Sequence, residues 1–263
     1  ALPDHLAIGP RTDRYPYGRF PLPPDEPWLE PLTALATIAG ATRRIRLATG
    51  VLIATLRPAL LLAKTAATLD VLSAGRLDLG VGLGWQREEF EAGGVPFEGR
   101  GARLDDTLRA CRALWRDAPA RFESPTIRFE ELRCLPRPVQ AGGIPIWFGV
   151  AASGANPARI AELGHGWMPM SAEPAQVAAG VARIGQAFRN VGRDPAALAV
   201  RVSVPGARSA SGGVDLDRTL AELPKLAQAG ASHAGFPLAR FVRGPEEVQG
   251  FLERLGKLAQ TGR

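Results

Sequence analysis

Apolar and polar positions follow two periods along this chain, one of two residues and one near 3.6, and the two alternate. After a loop-rich start, residues 45–53 set Arg46 and Thr49 among Leu47, Val51 and Leu52, which predicts a strand. Residues 59–72 predict a helix, with Gly75 suited to its C-cap. A strand is predicted over 77–83. A helix over 102–115 follows, with Leu104, Leu108, Cys111 and Trp115 on one face. Residues 121–139 then alternate apolar with polar, as in Arg121-Phe122-Glu123 and Ile127-Arg128-Phe129, which predicts a short, half-exposed antiparallel excursion ended by Pro136 and Pro138.

The earlier rhythm resumes with a buried strand over 144–150. A helix follows, capped by Asn156, with Pro157 in its first turn and Gly164 at its end. A short strand is predicted at 167–170, then a helix from Pro174 with Val177, Val181, Ile184 and Phe188 inward. A strand at 198–204 leads to a helix at 215–229 that Pro224 should break. A last strand lies at 233–238, and a final helix starts at Pro245 with Val248, Leu252 and Leu255 inward. Strands alternating with helices imply an α/β fold with a parallel sheet and right-handed crossovers, either an open doubly wound sheet or a closed barrel. No linker rich in Gly, Pro or Ser divides residues 1–263, so a single domain is expected.

Composition narrows the classes. The 263 residues are 46% hydrophobic, enough for one large core, and 22% charged. The net charge is +6, but the arginines are scattered among acids and no basic stripe forms, so no nucleic-acid partner is expected. Cys111 and Cys134 have no metal spacing and cannot make a disulfide framework. No run of about 18 apolar residues exists and no leader is recognisable, so a protein without a membrane partner, cytoplasmic by default, is expected.

Three segments carry candidate chemistry. Gly80-Val-Gly82-Leu-Gly84-Trp85 ends a strand, but its spacing differs from the dinucleotide G-x-G-x-x-G; the glycines either admit a flat ligand or serve packing alone. Val150-Ala151-Ala152-Ser153-Gly154-Ala155-Asn156-Pro157 joins a strand to a helix start, where free N–H groups suit a phosphate or form an ordinary loop. Asp4-His5 can move a proton or orient a ring. His165 reads as a surface residue and His233 has no assigned role. Hydrolase and kinase signatures are absent from the sequence.

Together these segments resemble the luciferase-like monooxygenase family, closest to its branch of deazaflavin-dependent oxidoreductases. The residues that carry the likeness are Asp4-His5, the segment 15–24 with Pro27-Trp28-Leu29, the segments 42–51, 62–77 and 80–90, then Gly94-Val95-Pro96-Phe97, Arg100-Gly101, Pro138-Val139-Gln140 and Pro145-Ile146-Trp147. The likeness is dense over residues 4–170 and collinear beyond.

The resemblance implies a parallel (β/α)8 TIM-like barrel with its cofactor at the C-terminal mouth of the strands. It implies that Asp4 and His5 are catalytic and lie beside the cofactor ring. Thr49, Gly50 and Val51 would form a third-strand bulge behind the ring, often with a non-prolyl cis peptide. Gly82, Gly84 and Trp85 would lie under the ring, and Ala151, Ala152, Ser153 and Gly154 would grip the phosphate. It also implies that a first strand and helix precede Asp4, so the barrel is expected to be incomplete at its N-terminus. Trp85 stands where some deazaflavin dehydrogenases have Glu, which speaks against a sugar-phosphate substrate. The implied cofactor is coenzyme F-420, with FMN second; the implied activity is hydride transfer or, with FMN, oxygen activation on a small organic substrate, by a homodimer. A non-catalytic flavin-binding protein and a nicotinamide enzyme are the alternatives.

Overall fold

The computed structural model describes residues 1–263 apart from 21, 24, 209–212 and 262–263, and the side chains of 258–261 are also left aside. Two positions of the segment 15–24 therefore lie outside the described residues.

The elements run α1 (Pro31–Ala41), β1 (Leu47–Ala48), β2 (Leu52–Ile53), α2 (Ala59–Leu72), β3 (Leu77–Gly82), α3 (Arg87–Ala92), α4 (Arg100–Arg116), β4 (Ala120–Glu123), β5 (Arg128–Leu132) and β6 (Ile146–Phe148). They continue with α5 (Asn156–Leu163), β7 (Gly166–Trp167), α6 (Pro174–Asn190), β8 (Ala199–Ser203), β9 (Ala207–Arg208), β10 (Val214–Asp215), α7 (Leu216–Ala221), α8 (Leu223–Gln228), β11 (His233–Gly235), α9 (Leu238–Phe241) and α10 (Pro245–Thr261). Strands β1, β3, β6, β7, β8 and β11 pair in parallel in that order, and β2 pairs β3 further along. The sheet curls into a half-barrel. Beyond β1 lies only the parallel bridge Leu2–Thr49, and β11 has no further neighbour among the described strands.

Leu77, Leu79 and Val81 of β3 are wholly buried and join Leu62, Leu69, Leu104, Leu108, Phe148 and Phe188 in one core. The alternate positions of β3 face the inside of the curl, because side chains along a strand alternate faces. There Asp78 binds Arg46 at 2.6 Å and Arg201 at 3.2 Å, and the Arg201 guanidinium lies 4.2 Å from the Trp147 ring centre.

Several predicted elements change in detail. The predicted strand 45–53 is two pieces around Thr49-Gly50-Val51, and the Gly50–Val51 peptide is cis. Asn156 is not a cap: Ala155 holds that place, and the Asn156 amide donates to the Ala151 carbonyl at 2.8 Å, closing the loop. In α10 Val248 and Leu255 are half-buried and Phe251 is buried between them, while Leu252 is 54% exposed. His165 is not a surface residue. Its Nδ1 accepts the Ile146 N–H at 3.1 Å, and burial, with Arg112 and Arg193 nearby, lowers its pKa. The antiparallel pair β4–β5 and the break at Pro224 between α7 and α8 lie where predicted. Among the described residues no helix is long and apolar enough to cross a membrane.

Helix α1 was not predicted, and one buried arginine holds it. Arg76 donates to the carbonyls of Ser73 (2.6 Å), Ile45 (2.9 Å), Ala39 (3.1 Å) and Thr42 (3.1 Å), and to the Thr42 hydroxyl (2.9 Å). Several of these oxygens belong to the C-terminal end of α1, where a cation is favoured. Arg76→Met should lower unfolding free energy by about 3 kcal/mol, since the fork leaves buried acceptors unmet. Arg76→Lys should restore little because ammonium lacks the planar fork. Urea unfolding checks both, and a Met variant within experimental error of wild type would refute the role.

Candidate active site

The mouth is built from the chain's first residues upward. Leu2 donates to the Ala48 carbonyl at 2.9 Å and accepts from the Gly50 N–H at 2.7 Å, so residues 1–3 run beside the third-strand bulge. Asp4, 4% exposed, then turns its carboxylate to Arg57 (2.8 and 3.0 Å) and to the Ile53 N–H (2.8 Å). Arg57 also binds Glu30 at 2.8 Å, and Glu30 caps α1 through the Thr33 N–H at 2.7 Å. Burial disfavours the Arg57 charge, but the bonds to Asp4 and Glu30 outweigh it and raise its pKa.

His5 is oriented not by Asp4 but by Glu89 of α3. Its Nδ1 lies 3.0 Å from Glu89 Oε2, and the other Glu89 oxygen accepts the N–H groups of Leu6 (2.5 Å) and Ala7 (3.4 Å). An ionised Glu89 can only accept, and in that state the proton of this bond is on Nδ1. Nε2 has no hydrogen bond among the described residues. Around the imidazole stand Phe20, Trp28 and Trp85, with ring centres 5.9, 5.2 and 5.9 Å away, all edge-on. Tyr15 adds an edge against Trp85 at 5.3 Å. The indole N–H groups of Trp28 and Trp85 are buried without a partner among the described residues. The covering segment is latched by Gln86, whose buried amide both donates to and accepts from the Gly9 backbone at 3.0 and 2.9 Å.

The bulge shapes the other side. Thr49 is buried with its hydroxyl on the Gly80 carbonyl at 2.6 Å, so it serves the sheet. The Val51 side chain is sunk between two glycines: a Cβ on Gly82 would stand 2.6 Å from it, and one on Gly149, 2.5 Å. That leaves Gly50 exposed on the rim. Gly84, at φ +69°, packs its turn against Phe90, where a Cβ would come within 2.6 Å of the ring. The loop of Ala151, Ala152, Ser153 and Gly154 leaves the same end of the parallel sheet. Ala152 is buried, whereas Ala151, Ser153 and Gly154 are exposed. The N–H groups of Gly154 and Ala155 have no bond among the described residues, and the Cβ direction of Gly154 is open. An exposed peptide rim, an aromatic wall and free N–H groups ahead of a helix fit a flat ring with a phosphate.

Glu89, Arg57 and Gln86 had no assigned role in the sequence reading. Glu89 sits beside Phe90 in a short acidic helix, and only that adjacency hints at its burial. Its partner lies 84 residues away.

A curled parallel sheet with polar groups gathered at the C-terminal ends of its strands is the layout of a barrel-type α/β enzyme. The chain belongs to the luciferase-like monooxygenase family, whose model matches residues 11–245. It is 39% identical over 140 residues to an uncharacterized protein of Mycobacterium tuberculosis, covering 53% of this chain and 49% of that one. The chain thus spans about half the length of that curated relative. The crystal structure of the monooxygenase RslO1 from Streptomyces bottropensis superposes with a TM-score of 0.63 at 28% identity, over 76% of this chain and 61% of that one. The coenzyme F-420 dependent tetrahydromethanopterin reductase of Methanopyrus kandleri gives 0.69 at 17% identity, over 80% and 83%, a likeness of fold alone.

Removing one member of a buried ion pair costs about 3–5 kcal/mol. Asp4→Ala should fall at the lower end, because Arg57 keeps Glu30. Denaturant unfolding measures this, and a loss below about 1 kcal/mol would mean that Asp4 does not anchor the segment.

Proposed function

We propose that this protein is an oxidoreductase that holds coenzyme F-420, or in its place FMN, at the C-terminal mouth and acts on a small organic substrate. The observation that carries the reading is the His5–Glu89 pair, buried among aromatic rings with Nε2 unengaged. When bound, a deazaflavin supplies hydride exchange, and FMN adds a route to oxygen. The Gly50–Val51 backbone would support the ring, Gly82 and Gly84 keep the floor low, Trp85 stands as a wall, and residues 151–154 take the phosphate.

In this reading His5 is the catalytic residue. Its Nε2 gives or takes the proton at the substrate atom next to the transferred hydride, while Glu89 holds the Nδ1 proton and the imidazole plane. The rings of Phe20, Trp28 and Trp85 pack edge-on around the imidazole and fix its place. Asp4, occupied by Arg57, is a positioning residue.

The test is a fluorescence titration with F-420 and, separately, with FMN. Binding of one at micromolar concentration is expected, and binding of neither would refute the reading. With a panel of quinones, aldehydes and unsaturated acids as hydride acceptors, His5→Ala should lower turnover by about 100-fold or more. Glu89→Gln should lower it by about tenfold or more by analogy with other outer-shell partners, with cofactor affinity kept in both variants. Cofactor binding with no turnover in wild type would favour the non-catalytic flavin-binding alternative.

A further inference from the structure

Beside the aromatic box, and sharing Trp85 with it, lies a cleft of about 230 Å³ lined by Arg11, Arg14, Arg87, Glu88 and Phe97. It opens between the covering segment and α3, which the Gln86–Gly9 latch holds together. Three guanidinium groups face one carboxylate there. Arg14 has no side-chain hydrogen bond or ion pair among the described residues. Arg11 pairs with Asp13, and Arg87 with Glu98, but both pairs are exposed, with side chains 45% and 62% open in the first and 44% and 76% in the second. Exposed pairs of this kind contribute little, so exchanging an acid for an incoming anion costs little. Phe97 already stacks under Arg87 (4.6 Å) and Arg100 (3.9 Å), which leaves the Arg87 fork held but not saturated. The indole N–H of Trp85, which lines the cleft, is buried without a partner among the described residues.

We infer that this cleft is the substrate subsite, and that the substrate is a planar aromatic carboxylate whose ring lies against Trp85 and whose anionic group meets Arg14, with Arg11 and Arg87 beside it. The inference rests on the mouth being the reacting site. Its test does not depend on turnover. Benzoate and its neutral counterpart benzamide are titrated against the full chain, following tryptophan fluorescence. Benzoate should bind about tenfold more tightly than benzamide, the preference expected of charge-assisted bonds. Arg14→Ala and Arg87→Ala should each remove most of that preference, whereas Arg254→Ala, a distant guanidinium paired with Asp217, should not. Equal affinity for the two probes would overturn the assignment, as would equal losses in Arg14→Ala and Arg254→Ala. The titration is repeated on protein saturated with F-420 or FMN. Unchanged benzoate binding supports a substrate subsite, and competition would give the cleft to the cofactor's own anionic groups and overturn it. Arg14→Ala should bind cofactor as wild type does. Failure of wild type to bind either cofactor counts against the proposed function and leaves the benzoate result standing.

Discussion

An ionised carboxylate taken out of water costs several kcal/mol unless the interior answers it. Asp4 and Glu89 are both nearly sealed, at 4% and 3% exposure, and each is answered by three or more donors. The donors come from far along the chain: Arg57 and Ile53 for Asp4, and His5, Leu6 and Ala7 for Glu89. These bonds hold residues 4–7, which have no regular structure, against the end of β2 and helix α3 at once. The rest of the mouth follows. With residues 4–7 held, Gln86 can clamp Gly9, and the chain beyond it can carry Tyr15, Phe20 and Trp28 over His5. Glu30 returns the chain to the same network through Arg57, so the covering segment is tied at both ends.

The opposite wall depends on absent side chains. A Cβ on Gly80 would stand 2.1 Å from the Thr49 carbonyl, and those on Gly82 and Gly149 would collide with Val51. Glycine in a strand costs roughly 0.5–1 kcal/mol relative to alanine, and here that cost admits the Thr49–Val51 bulge between β1 and β2 close against β3 and β6. Any larger residue would push Val51 outward and fill the rim that Gly50 leaves exposed.

Much of this architecture was legible in the sequence because its cause is local. The span of α2, the inward face of α4 at Leu104, Leu108 and Cys111, and the break before Pro224 all follow from periodicity or from one residue's chemistry. Helix α1 escaped notice because Ala, Thr and Gly blur its polar face and its end is held by Arg76 from another element. In α10 the turn between Val248 and Leu255 can point either Phe251 or Leu252 inward, and the fold takes the larger ring. Asp4, His5, Val51, Gly82 and Trp85 are named for the site by family likeness alone. The pairing of His5 with Glu89, and of Asp4 with Arg57, is a product of the fold across 84 and 53 residues, and no spacing encodes it.

The two ends of the curl treat charge differently, and the difference separates support from chemistry. Toward the N-terminal ends of the strands, Asp78 is answered on both oxygens by Arg46 and Arg201, and Arg201 is further held over Trp147. There the acid itself is fully answered, and the arginines serve it. At the C-terminal ends the carboxylates are equally satisfied, but what they hold is not. Among the described residues, His5 Nε2, the Gly154 and Ala155 N–H groups and the Arg14 guanidinium over the cleft have no hydrogen-bond partner. Buried pairs at the mouth thus act as mounts for neighbouring groups, and the proton transfer proposed for His5 would draw on one of them.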